Sequence, residues 1–175
     1  MTPRVEILWG RPAMPFVRAT GVTAVIATAV CLAVSAEAAA QNPFATLAGT
    51  WSGAGQIKLE GGKSEAIRCK AYYTTNSGGA GLGMAIRCAS ASNKIEMRAS
   101  LTYADGNVAG SWEERTFNAA GQVTGKASAD RMSLSIDGGG LNGRMSVRLG
   151  SSSQSVTIST SGSTFRGLDL SLSRG

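Results

Sequence analysis

From residue 50 onward, apolar and polar side chains alternate along the chain. Ile95, Met97, Ala99, Leu101 and Tyr103 interleave with Lys94, Glu96, Arg98, Ser100 and Thr102. Met132, Leu134 and Ile136 interleave with Arg131, Ser133 and Ser135, and Met145, Val147 and Leu149 with Arg144, Ser146 and Arg148. A period of two is that of strands with one face buried, and no stretch after residue 50 sustains a helical period. Turn-forming residues divide the chain into about ten strands: 50–59, 65–75, 82–91, 94–104, 107–117, 122–129, 131–136, 141–149, 154–160 and 166–173. The breaks fall at Gly61-Gly62, Gly78-Gly79, Ser92-Asn93, Asp105-Gly106, Ala119-Ala120-Gly121, Asp130, Gly138-Gly139-Gly140, Ser151-Ser152-Ser153 and Ser161-Gly162. Asp105-Gly106 is the strongest of them, because a type I′ hairpin turn needs positive φ at both central residues.

Hairpin centres fix which residues face one another. A turn centred on Gly78-Gly79 sets Cys69 directly opposite Cys88, on one face and within bridging reach. A turn at Ser92-Asn93 sets Cys88 beside Met97 and Ile86 beside Ala99. Asp105-Gly106 sets Met97 beside Glu114 and Ala99 beside Trp112. The inner face then carries the row Ala71, Ile86, Ala99, Trp112, and the outer face the row Lys70, Arg87, Arg98, Glu113. The fold class expected is all-β, an antiparallel meander of about ten strands. Pairing the first strand with the last closes it into a small barrel without exposed edges; two stacked sheets are the alternative.

Residues 1–40 read differently. Arg4, Arg11 and Arg18 precede an uncharged run from Thr20 to Ala36, and small residues follow up to Ala40. This is the order of a secretory leader, cut after Ala40 or Ala38, leaving 41–175 as one barrel domain. The apolar run is short for a spanning helix, so membrane contact is expected only through the leader before cleavage. Without Cys31, the two remaining cysteines form one disulfide, Cys69–Cys88, as expected of a periplasmic or extracellular protein. Of 17 basic and 11 acidic residues, 14 and 9 remain, a net +5 that permits anionic partners without specifying one.

The chain has no histidine. That removes histidine-activated nucleophiles, histidine acid–base catalysis and the usual zinc and haem ligands. CxxC and P-loop sequences are missing too, and Glu113 and Glu114 point to opposite faces of one strand. No enzyme activity, cofactor or metal is therefore expected. Nucleic acid is not expected as a partner, since Tyr72 alone offers an aromatic beside the basic residues. Charged outward positions and missing aromatic girdles argue against an outer-membrane barrel.

Gly49-Thr50-Trp51, preceded by Asn42-Pro43-Phe44, resembles the opening of lipocalin-like barrels, where a G-x-W element begins the first strand and its ring plugs the barrel end. Gly110-Ser111-Trp112 repeats the pattern. The strand count is similar to that of the fatty-acid-binding and nitrobindin branches. Arg166 and Arg174 are the candidates for that family's closing arginine. The haem ligand of nitrobindins is a histidine, so haem binding does not carry over. The segment from 41 onward also resembles uncharacterised exported proteins of alphaproteobacteria, through Gly-Thr-Trp-Ser-Gly at 49–53, Ile67-Arg68-Cys69, Arg87-Cys88-Ala89-Ser90 and Gly110-Ser111-Trp112-Glu113.

Two functions follow as expectations. The first is a barrel holding a small apolar or lipid-like ligand, with Trp51, Trp112, Met97, Tyr73 and Glu114 as its candidate contacts. The tryptophans serve equally as core plugs, and Glu114 either anchors a ligand, sits at the rim or pairs with an arginine. The second is an envelope interaction module using Lys70, Arg87 and Arg98 as an anion-binding row, or no more than a solvated face. An interior void of about 300 Å³ or more would favour the first; a filled interior would favour the second.

Overall fold

The structure, a computed structural model, describes residues 41–76 and 78–175; the expected leader and its cleavage site lie outside the described residues. Ten antiparallel strands follow one short helix. They are α1 (Phe44–Leu47), β1 (Gly49–Leu59), β2 (Ser64–Thr75), β3 (Gly81–Ala89), β4 (Lys94–Ala104), β5 (Asn107–Glu114), β6 (Ala119–Ser128), β7 (Arg131–Gly138), β8 (Leu141–Leu149), β9 (Ser153–Ser161) and β10 (Phe165–Arg174). Each strand pairs with the next, and β1 pairs with β10, so the sheet is a closed ten-stranded barrel.

Closure depends on small side chains at the seam. A Cβ added at Gly53 or Gly55 of β1 would lie 1.9 Å from a carbonyl oxygen of β10, a spacing only glycine allows. At the β4–β5 hairpin, Asp105 and Gly106 both take positive φ, 48° and 79°, as its type I′ geometry demands. Inward positions carry the core: Ile67, Leu82, Leu101, Val108, Leu134, Val147 and Leu172 are all buried.

Cys69 pairs with Cys88, and the two form a disulfide, joining β2 to β3. Two registers differ from the sequence expectation. The β3–β4 loop is centred on Ala91-Ser92, so Cys88 faces Ile95 and Ile86 faces Met97. Ser90 holds it from below, its backbone N–H donating to the Asn93 carbonyl and its side-chain oxygen accepting from the Asn93 N–H. A shift of two residues leaves every side chain on its expected face but changes its neighbours. The β5–β6 turn lies at 115–118, where Asn118 takes φ 52°, and not at Ala119-Ala120-Gly121, which begin β6.

Candidate ligand-binding site

The two ends of the barrel are built differently. Next to the start of β1, α1 lies across the opening with Phe44 and Leu47 buried. Trp51 is fully buried and its indole N–H donates to the Leu47 carbonyl at 2.7 Å. The Arg174 guanidinium stacks 4.4 Å from the Trp51 ring centre and donates to the carbonyls of Ala48, at 2.6 Å, and Thr46. Arg174 thus takes the closing position, while Arg166 pairs with Glu60 on the outer surface. Asn42 donates to the Gly79 carbonyl, and the Phe44 and Tyr103 rings meet edge to face.

At the other end the inward side chains are only half-buried, among them Ile95, Met97, Leu141, Met145 and Phe165. Between the two ends lies a cavity of about 130 Å³. That is less than the 300 Å³ or so of a drug-sized site and close to the roughly 150 Å³ of an apolar void that accepts benzene. Leu47 of α1 forms part of its floor, and Ile86, Leu134, Ile158 and Leu170 part of its wall. Every methionine among the described residues (Met84, Met97, Met132 and Met145) lines it. Their unbranched thioethers re-pack readily, so the wall can adapt to an occupant.

Of the residues singled out from sequence, Tyr73, Met97 and Trp112 line this cavity. The Trp112 ring lies along β6 and the β7–β8 turn, where a Cβ at Gly121 or Gly139 would come within 2.7 Å and 3.1 Å of it. Trp51 and Glu114 do not line the cavity. Trp51 belongs to the closed end. The Glu114 carboxylate, buried at the β5–β6 turn, accepts from the backbone N–H of Phe117 at 2.6 Å and of Glu96 at 2.8 Å. Desolvation pushes this carboxyl up, but the backbone donors of Phe117, Glu96 and Thr116 and the Thr116 side chain outweigh it and hold the group below its ordinary value.

Sequence reasoning missed Gln154. It occupies an inward position of β9, is 3% exposed, and its carbonyl oxygen accepts from the Tyr73 hydroxyl at 3.3 Å. Burial pushes the Tyr73 hydroxyl up to about 12, against the lowering effect of that bond, so it stays protonated. The signal was present, since Gln154 shares the inward phase of Val156 and Ile158.

The basic row is not continuous on the outer face. Lys70 faces Arg87, but Arg87 faces Glu96, with the guanidinium 3.8 Å from the carboxylate. Arg98 instead lies between Ala85 and Glu113. The two-residue register shift is the cause.

No family model matches the chain, and no curated protein matches it in sequence. Among solved structures, it is similar to the S-type phycobiliprotein lyase CPES from Guillardia theta, at 12% identity and a TM-score of 0.52, covering 75% of this chain and 90% of that one. The likeness is one of fold alone. It corrects one expectation. The residues alone predict no enzyme, yet the barrel is shared with a protein named a lyase. Lack of histidine excludes histidine chemistry, not catalysis by this architecture.

Proposed function

We propose that the barrel binds a small apolar molecule, or the apolar part of a larger one, entering at the end opposite α1. The observation that carries this reading is the cavity: uncharged, walled by aliphatic and methionine side chains, and leading to an end whose inward residues water still reaches. An apolar wall is surface that a ligand would remove from contact with water. Sharing the fold of a protein named a phycobiliprotein lyase is in keeping with a ligand held inside. Export to an oxidising compartment belongs to the proposal and is supported by the Cys69–Cys88 bridge.

Methyl NMR of protein labelled at methionine tests it, with toluene as the probe. Saturable shifts of the Met84, Met97, Met132 and Met145 methyls are expected, and Ala99→Phe, which fills the void, should abolish them while the spectrum stays folded. Methyl signals that do not move up to the solubility of toluene overturn the reading.

A further inference from the structure

The floor of the cavity holds a polar pair in a mostly apolar wall. The amide nitrogen of Gln154 is buried without a hydrogen-bond partner among the described residues, while the amide oxygen takes the Tyr73 hydroxyl. With the oxygen so engaged, both amide N–H groups are unmet. Reversing the amide would let one N–H donate to the Tyr73 oxygen, and would leave the other N–H and the phenolic proton unmet. Whichever way the amide points, this pair has donors to spare.

Two other polar groups belong to the wall, those of Thr160 and Trp112. The Thr160 hydroxyl donates to the Phe165 carbonyl. The Trp112 indole nitrogen also lacks a partner, but it lies against Gly121 of the neighbouring strand. Tyr73, opposite Gly49 at the start of β1, and Gln154, opposite Leu172 near the end of β10, lie with Leu47 in the lining at the closed end, where a molecule entering from the open end stops.

Among the described residues, no side chain lining the cavity carries a charge. A carboxylate or phosphate seated there would lose its hydration with no cation to replace it, a cost far above that of a neutral oxygen. A pure hydrocarbon would leave the spare donors unmet, and native structures rarely tolerate buried donors in that state.

We propose that the ligand is a neutral molecule carrying a hydrogen-bond-accepting oxygen, such as a ketone, aldehyde or ester, seated oxygen-first against Gln154 and Tyr73 at the cavity floor. This rests on the ligand-binding reading above and adds to it the polarity and direction of the occupant. Gln154 positions and selects the ligand.

The test uses three probes of similar size: acetophenone, ethylbenzene and benzoate. Their affinities are measured by calorimetry on the unaltered protein and on Gln154→Leu. The change should weaken acetophenone about tenfold, the effect of one hydrogen bond, and leave ethylbenzene unchanged or tighter. Benzoate should not bind at concentrations where acetophenone saturates. In the unaltered protein the bound ketone's carbonyl infrared band should lie at lower frequency than in hexane, a readout that stands even if Gln154→Leu fails to fold. Acetophenone and ethylbenzene changing in parallel, an unshifted carbonyl band, or benzoate binding as tightly as the ketone would overturn the inference while leaving an apolar site in place. Binding of neither neutral probe would remove the ligand-binding reading itself.

Discussion

The two ends of this barrel set a built closure against an unfinished one. Around α1, a fully buried tryptophan, a stacked arginine and backbone carbonyls from 46–48 form a unit in which the indole N–H and the guanidinium are both satisfied. At the far end, isoleucines, leucines and methionines face inward with part of their surface still wet. The same alternation produces both. The difference comes from what covers the rim: one end has α1 packed over it, the other only the connections between strands, one of them a single 3₁₀ turn at Glu60–Gly62. Stability is therefore concentrated at one end and adaptability at the other.

Substitutions should separate the two. Trp51→Ala removes the largest buried ring together with its hydrogen bond, and should lower unfolding free energy by about 3–5 kcal/mol in a denaturant titration. Removing the Cys69–Cys88 bridge, which joins residues 19 apart, as the double alanine variant should cost about 3 kcal/mol by the same measurement. Arg174→Ala leaves the ring in place but strips its stacked, partly exposed cation, and should cost about 1–2 kcal/mol. At the open end, Met145→Ala should cost only about 1 kcal/mol, since the side chain is half-buried, yet it should change toluene binding while Arg174→Ala does not. Equal stability losses for Trp51→Ala and Met145→Ala would erase the contrast.

The gentlest probe is pH. Because Glu114 titrates lower in the folded chain than in the unfolded one, the unfolded chain takes up its proton first as pH falls. The stability contributed by this group is complete above the unfolded pKa of about 4.3 and drains away as pH drops through the lower folded value. Glu114→Gln should flatten that decline. It should not abolish it, because Glu65, held by Ser92 and Ser90, and Asp169, held by Lys58, are lowered in the same direction. An unchanged slope in Glu114→Gln would show that the turn does not depend on an ionised Glu114.

Much of this architecture was legible from single residues. Alternation gave the strands to within a few positions, Asp105-Gly106 gave the β4–β5 register, and the opposition of Cys69 and Cys88 followed from Gly78-Gly79. The two misplaced turns have different causes, one distant in sequence and one local. At the β3–β4 loop, Glu65 of β2 accepts from Ser90 and Ser92 and so draws the turn centre back to Ala91-Ser92. At the β5–β6 turn, Glu114 fixes the N–H of Phe117, while Gly121, which looks like a turn residue, lies opposite Trp112 and makes room for its ring. The site was half legible. Tyr73, Met97 and Trp112 were on the inner face by phase alone, but the tilt that gathers them with Gln154, and the covering of Trp51 by α1 and Arg174, depend on how the barrel closes.

Crystals pressurised with xenon give the most direct test of a cavity closed by α1 and open to an apolar occupant. Xenon occupies dry apolar voids of this size, and it should appear inside the barrel, among Met97, Leu134 and Ile158 and above Gln154. A barrel interior without xenon, or one filled by ordered water, contradicts the apolar site on which the functional reading stands.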